Sequence, residues 1–160
     1  MMRLSEIALA TKGKVLGADV EINSVGTDSR AIESGQLFVA LKGENFDGHD
    51  YAAQSLQQGA CAVMVSQEVA GPAVLVKDTR LALGDLSAYW RNKFSMPVVA
   101  ITGSNGKTTV KEMLASILKV AAGDDAKVLA TQGNLNNDIG LPLTMLKLVL
   151  FVSPEPETKA

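Results

Sequence analysis

A chain of 160 residues is long enough to bury one ordinary hydrophobic core or two small ones. Its 47% hydrophobic and 20% charged residues exclude a disordered chain, and no apolar stretch approaches the roughly 20 residues of a membrane helix. The net charge of −2 provides no broad positive field, so we expect neither a nucleic-acid partner nor membrane insertion. The single cysteine, Cys61, cannot form an internal disulfide, which fits a cytoplasmic location.

The first half of the chain alternates strand-like and helical patterns. Ser5 is a suitable N-cap for a short helix that runs to about Lys12 and ends at Gly13. Strand-like runs follow in KVLGADVEINSVGTDSR and QLFVALKG, then a helical pattern in HDYAAQSLQQGA, then the runs CAVMV and AVLV. This β-α-β order predicts a parallel pair of strands in one small α/β domain over residues 1–77.

The second half begins with a helical stripe and continues with a second set of elements. Asp78 is a suitable N-cap for TRLALGDLSAYWRNKF, and we expect residues 78–96 to form a helix that links two domains. Residues 97–147 open with the apolar run VVAI, predicted as a strand buried on both faces, and include a helix from Lys107 to about Val120 and a strand at KVLAT. The tail, residues 148–160, ends in the charged, proline-rich SPEPETKA and is predicted to be disordered.

The turn TGSNGKTT, between the predicted strand VVAI and the helix, has the composition of a phosphate-binding loop. Backbone N–H groups and the positive end of a helix dipole converge on an anion in such a turn. Lys107 would reach the phosphates, and the Thr108 hydroxyl would bind Mg²⁺. The spacing departs from G-x-x-x-x-G-K-[ST], because Ile101 stands where that motif has glycine, and an ordinary helix-capping turn is the alternative. Nucleotide binding is predicted for Gly103, Ser104, Asn105, Gly106, Lys107, Thr108 and Thr109.

Two other polar stretches are ambiguous from residue types alone. In VGTDSR, Asp28 and Ser29 suit a turn that bonds its own backbone, and His49 could cap the helix that follows it. GNLNNDIGLP places three asparagines and an aspartate between two glycines. Such a loop commonly satisfies its own turns, and Asp138 could be a helix cap.

Three motifs together resemble the Mur ligase family, the amide-forming enzymes of peptidoglycan synthesis. TGSNGKTT is similar to the family's ATP loop, TDSRAIESGQLFVALKGENFDGHDYAAQSLQQGA to its nucleotide-sugar recognition domain, and TQGNLNNDIGLPLTML to the members that add D-alanyl-D-alanine. The motifs fall in the family's order over residues 3 to about 147. The resemblance implies an α/β fold, with a small N-terminal nucleotide-sugar-binding domain followed by the start of a P-loop-type, parallel-sheet ATP-binding domain, truncated.

The resemblance also implies an activity. A family member of this kind is an ATP-dependent ligase that adds D-alanyl-D-alanine to UDP-N-acetylmuramoyl-tripeptide through an acyl phosphate, with ATP and Mg²⁺ as cofactors. Two other functions stay open: a non-catalytic module that binds a UDP-sugar or nucleotide, and the related ligase that adds the third peptide residue. The sequence indicates neither the oligomeric state nor the amino acid at the tripeptide's third position.

Site residues follow from the resemblance, position by position. Lys107 and Asn137 are implied as catalytic residues and Thr108 as the metal ligand. Substrate binding is implied at the uridine diphosphate end for Thr27, Ser29, Arg30, Lys42, Asn45 and His49, and near the reacting carboxylate for Asn134 and Asn136.

Members of the family are longer chains of three domains, and LVLFVSPEPETKA, after Lys147, no longer resembles them. The family's magnesium-binding glutamate, modified lysine and metal-binding histidine have no counterpart, and Glu155 is not assigned the metal. We therefore expect a truncated or frame-shifted N-terminal fragment that is inactive alone, and a natural short protein is the alternative. Exposed apolar surface is expected around Leu148 to Val152, and residues 1–77 are expected to fold independently of an unstable ATP-binding half.

Overall fold

The computed structural model describes residues 1–133 and 135–151. In these ranges the strands are β1 (Met2–Arg3), β2 (Lys14–Leu16), β3 (Glu21–Ile22), β4 (Ser24–Gly26), β5 (Gln36–Val39), β6 (Ala62–Val65) and β7 (Ala73–Leu75). The α-helices are α1 (Leu4–Thr11), α2 (Ala52–Gln57), α3 (Thr79–Arg91), α4 (Lys107–Ala122) and α5 (Gly140–Met145), with 3₁₀ helices at Gly48–Tyr51, Asp125–Lys127 and Leu146–Phe151. None of the helices in the described ranges is long and apolar enough to cross a membrane.

Five strands form one mixed sheet in the order β2-β7-β6-β5-β4. β4, β5, β6 and β7 pair in parallel, and β2 joins the β7 edge antiparallel. β1 and β3 form a separate antiparallel pair. The predicted parallel pair is confirmed and extends to four strands, so the α/β fold class with a parallel sheet is also confirmed.

Helices cover both faces of this sheet, which explains why β5 and β6 are buried along their whole length. Successive residues of a strand point to opposite faces. Leu37 and Val39 therefore pack in a cluster with α1 and α3, whereas Phe38 packs with α2 in a second cluster. The buried cores lie on either side of one sheet, and all five of its strands come from the first 75 residues.

Helix α3 is a layer of the first core as well as the start of the predicted link. Asp78 Oδ1 accepts hydrogen bonds from the backbone N–H groups of Arg80 and Leu81 at 2.8 and 2.9 Å, which confirms the predicted N-cap. One side of the helix is buried against the sheet and α1, through Ala82, Leu83, Leu86 and Trp90. A domain cut at residue 77 would therefore leave one face of the sheet uncovered.

The ends of α1 differ from the prediction. The helix begins one residue before Ser5, whose N–H and hydroxyl both donate to the Asp19 carboxylate at 2.9 Å, so the first turn is bonded by a distant side chain. At the other end Lys12, with φ 54°, takes the left-handed conformation expected of Gly13. Gly13 is needed for a different reason, because a Cβ there would lie 2.7 Å from Val74 Cγ1.

The two strands predicted beyond α3 are wrong. Within the described residues no strand follows β7: the runs at 98–101 and 127–131 are outside any strand, and Val98 is 51% exposed. A strand exists only where a second strand bonds its backbone, and none of the described residues pairs with either run.

Helix α4 forms as predicted, yet its apolar side is uncovered. Val110, Met113 and Ile117 are exposed, and among its residues only Ala115 is buried. The exposed apolar surface was predicted near Leu148 instead, and this is wrong for Leu148 itself, which is 3% exposed and packs with the first core. The 3₁₀ helix there continues to Phe151, and residues 152–160, including Glu155, lie outside the described residues.

Candidate functional site

The predicted sugar-nucleotide residues collect at one edge of the sheet. Thr27, Ser29 and Arg30 follow β4, and Lys42 and Asn45 follow β5. Because β4 and β5 are parallel neighbours, both loops leave from the carboxyl ends of their strands. In open α/β sheets this is the edge where ligands bind.

The loop after β4 is held by a turn of its own. Asp28 Oδ1 accepts from the Arg30 backbone N–H at 3.0 Å, so the predicted turn is confirmed. The Arg30 guanidinium also donates to both carboxylate oxygens, from Nε at 2.9 Å and Nη2 at 2.8 Å, and these bonds lower the pKa of Asp28 to about 2. Arg30 keeps its remaining N–H groups for an anion, since the guanidinium has five.

The loop after β5 is a tight reversal that presents Lys42 and Asn45 to solvent. Lys42 and Asp47 form an isolated antiparallel bridge, and the Gly43 N–H donates to the Phe46 carbonyl at 2.9 Å. The Lys42 ammonium lies 3.5 Å from Asp47 Oδ2, and its side chain is 75% exposed. The lysine charge is therefore available at the same edge as Ser29.

His49 lies at the end of this loop, and both nitrogens of its ring contact polar groups of the protein. The side chain is buried, with Nδ1 2.5 Å from Asp47 Oδ1, and Nε2 accepts from the Ser66 backbone N–H at 2.9 Å. Asp47, rather than His49, caps the 3₁₀ helix by accepting from the His49 N–H at 3.0 Å. The bond from the imidazole is the main cause that lowers the pKa of Asp47. Substrate binding by His49 stays a prediction, and Asp47 and Ser66 were missed by the sequence analysis.

The predicted ATP loop, TGSNGKTT, lies at the start of α4. Gly106, with φ 76°, precedes the helix, and Gly103 has φ 149°, so both need the freedom of glycine. Among the residues that the structure describes, no side chain caps α4, so its first N–H groups have no side-chain acceptor there. A Cβ on Gly106 would meet nothing within 4 Å. Lys107 Nζ donates to the Gly103 carbonyl at 2.5 Å, so the lysine side chain folds back onto the loop that precedes it.

Lys111, one turn further along α4, was also missed. Its Nζ donates to the Thr131 carbonyl at 2.6 Å and forms an ion pair with Glu112 at 2.9 Å. This bond attaches the stretch before the asparagine loop to the helix that begins at the ATP loop. The available signal was spacing, because residues four apart on a helix share a face and Lys111 follows Lys107 by four.

The asparagine loop is held by local and long-range bonds. Asn137 Oδ1 accepts from the Gly140 N–H at 2.7 Å, at the start of α5, and Asn136 is exposed. Asp138 is not a cap: it pairs with the Arg80 guanidinium on α3, which lowers its pKa. Asn134 lies outside the described residues. Within residues 1–133 and 135–151 no hydrogen bond joins this loop to the ATP loop.

Comparisons with known proteins match both halves of the chain to one family. The model described as "Mur ligase family, catalytic domain" matches residues 21–91, and the model described as "Mur ligase middle domain" matches residues 101–150. The UDP-N-acetylmuramoyl-tripeptide–D-alanyl-D-alanine ligase of Haemophilus influenzae is 50% identical in an alignment 154 residues long that covers 92% of this chain and 34% of the relative.

Solved structures agree with this match. A crystal structure of MurF from Acinetobacter baumannii is 41% identical, with a TM-score of 0.81, over 92% of this chain and 34% of that one. The MurF ligase of Thermotoga maritima, in complex with ADP, is 36% identical, with a TM-score of 0.69, over 78% and 29%. The chain thus spans about a third of the length of these relatives. With the N-terminal and middle domains matched in order, the chain belongs to the Mur ligase family.

Proposed function

We propose that this chain supplies the sugar-nucleotide edge and the ATP loop of a ligase that adds D-alanyl-D-alanine to UDP-N-acetylmuramoyl-tripeptide. The observation that carries the proposal is the position of the two binding sequences. TGSNGKTT forms the start of α4, and the loops with Ser29 and Lys42 leave the carboxyl ends of adjacent parallel strands. The relative from Haemophilus influenzae bears the name of this reaction.

The proposed role of the sheet edge is to bind the uridine diphosphate end of the sugar nucleotide. The Ser29 hydroxyl both donates and accepts, so it can bond the edge of a uracil ring. Lys42 and the free N–H groups of Arg30 carry positive charge into solvent, where a diphosphate would meet them. Thr27 and Asn45 lie in the same two loops and are proposed as further contacts.

The proposed role of the ATP loop is to stabilise the negative charge of the phosphates. The N–H groups at the start of α4 would hold the phosphates, and Lys107 would exchange its bond to Gly103 for one to a phosphate oxygen. The Thr108 hydroxyl would bind Mg²⁺, and Ser104, Asn105 and Thr109 would line the loop. Bound ATP supplies the phosphoryl group that activates a carboxylate. Asn136 and Asn137 are proposed to hold the substrate and its reacting end.

Calorimetric titration tests both ends in one experiment. We expect the purified chain to bind UDP-N-acetylmuramoyl-tripeptide and, separately, Mg·ATP. Ser29→Ala should weaken only the first, by roughly 2- to 10-fold, because a neutral hydrogen bond is worth about 0.5–1.5 kcal/mol. Lys107→Ala should weaken only the second, by roughly tenfold or more, because a hydrogen bond to a charged group is worth about 1.5–3 kcal/mol. Each variant is the other's control. A folded chain that binds neither ligand would refute the proposal.

A second function, a module that binds without turnover, is favoured by one observation. The ATP loop follows residues 98–101, which form no strand among the described residues. The two functions differ in phosphate release from Mg·ATP with both peptide substrates present. Release above the rate of Lys107→Ala indicates turnover and excludes the module, whereas a module and a ligase fragment that is inactive alone both bind the sugar nucleotide without release.

A further inference from the structure

Two hydrogen bonds and an ion pair, with the buried His49 at their centre, connect Ser66, just after β6, to the loop after β5. The hydrogen bonds run from the Ser66 backbone N–H to His49 Nε2 at 2.9 Å, and from His49 Nδ1 to Asp47 Oδ1 at 2.5 Å. The ion pair joins Asp47 Oδ2 to the Lys42 ammonium at 3.5 Å. This ammonium is the exposed charge of the sugar-nucleotide edge.

The donor and acceptor roles in these hydrogen bonds determine which tautomer the neutral imidazole of His49 adopts. A backbone N–H can only donate, so His49 Nε2 must carry the lone pair that accepts from Ser66. In the neutral ring the hydrogen is then on Nδ1, which donates to Asp47. Asp47 Oδ1 accepts from both the ring and the backbone N–H of His49, which leaves Oδ2 to face Lys42.

We propose that His49 and Asp47 are positioning residues that hold Lys42 at the sheet edge for the diphosphate of the sugar nucleotide. The inference rests on the proposed function, because it takes Lys42 as a contact of that ligand. Neither His49 nor Asp47 needs to touch the ligand. A long lysine side chain loses rotamer freedom on binding, and an anchored carboxylate beside it reduces that cost in advance.

The side chains of Ser66, His49 and Asp47 are arranged in the order of a hydrolase catalytic triad. The hydrogen bonds argue against a catalytic role for them. Ser66 Oγ lies 3.0 Å from His49 Nε2, as a nucleophile would. The lone pair of Nε2, however, already accepts from the backbone N–H of Ser66 at 2.9 Å, so it is not free to take the hydroxyl proton. The ring therefore orients Asp47 and does not act as a base.

The first test reads the tautomer directly. His49 is the only histidine of the chain, so its ring nitrogens can be assigned without ambiguity in a ¹H–¹⁵N spectrum of the full chain. We expect a hydrogen on Nδ1 and a lone pair on Nε2. A hydrogen on Nε2 would overturn the proposal, whether or not any ligand binds.

The second test is a double-mutant cycle with calorimetric titration of UDP-N-acetylmuramoyl-tripeptide. The amide of His49→Gln can still accept from Ser66 but loses the bond to Asp47, whereas the shorter His49→Asn keeps a donor for Asp47. We expect His49→Gln to raise Kd roughly 3- to 10-fold and His49→Asn about twofold or less. In a Lys42→Ala background His49→Gln should change Kd by less than about twofold, because the residue it positions is gone.

The outcomes separate the two proposals. If the wild-type chain does not bind the sugar nucleotide, the sugar-nucleotide half of the proposed function is refuted and this inference with it. If it binds and His49→Gln weakens binding equally with and without Lys42, only the positioning role is refuted. Thermal unfolding of each variant shows that it is folded at the titration temperature, and Asp50→Asn, an exposed carboxylate next to His49, is the matched control and should leave Kd unchanged.

Discussion

Helix α3 provides the sharpest test of where the first core ends. Leu83 has no exposed surface and lies in the hydrophobic cluster that also contains residues of the sheet and of α1. Leu83→Ala removes three carbon groups, worth about 0.8 kcal/mol each in transfer free energy, and leaves a cavity that adds to the loss. We therefore expect the free energy of unfolding to fall by about 3 kcal/mol.

The same helix offers a matched control. Leu81 is 70% exposed, so Leu81→Ala makes the same chemical change on the same helix without opening a cavity. We expect it to change stability by less than about 0.5 kcal/mol. Urea unfolding followed by far-ultraviolet circular dichroism measures both variants, and the slope with urea should be the same for each.

A similar, small loss of stability for the two leucines would contradict this placement of α3. It would mean that α3 does not cover the sheet and serves only as the link first predicted for residues 78–96. A large loss for Leu83→Ala alone would instead extend the first folding unit past residue 77, at least to the end of α3.

Three further changes test local features. Asp78→Ala should cost about 1 kcal/mol in urea unfolding, because it leaves the first N–H groups of α3 without their cap. Gly84→Ala should stabilise the chain by about 0.5–1 kcal/mol, since its Cβ meets nothing within 4 Å in mid-helix, whereas Gly13→Ala should destabilise it through the contact at 2.7 Å. The pKa of Asp28 falls on folding from 3.8 to about 2, so its contribution is present above pH 3.8 and is lost as the pH falls toward 2. Asp28→Asn should flatten the pH dependence of stability in that window, and because the group is exposed the effect should be small.

Sequence alone predicted the parallel sheet because its partners are close in the chain. The runs QLFV and AVMV became β5 and β6, each buried on both faces with a neighbour on each side. VVAI is as apolar as these runs and did not become a strand, because none of the described residues bonds its backbone. Apolar composition therefore indicates that a segment can be a strand, whereas pairing decides whether it is one.

Some residues of the candidate site could likewise be predicted from the sequence and others could not. Gly103 and Gly106 were predictable, since the conformation they adopt is one that glycine alone takes freely. His49 and Asp138 were not, because the partner of each is distant: Ser66 is 17 residues away and Arg80 is 58. A side chain that bonds across the fold carries no local pattern that identifies its role.

The two proposed binding sites therefore differ in how firmly the fold holds their backbone. The sugar-nucleotide loops leave β4 and β5, whose backbones are bonded in the sheet. The ATP loop is fixed by α4 on one side only, because no backbone hydrogen bond among the described residues involves 98–101. Ordering a residue costs about 1–2 kcal/mol, so fixing even two of them on binding would weaken ATP affinity by roughly 30-fold or more. Sugar-nucleotide affinity should carry no such cost, so it is the ligand that this chain should retain when ATP binding is weak.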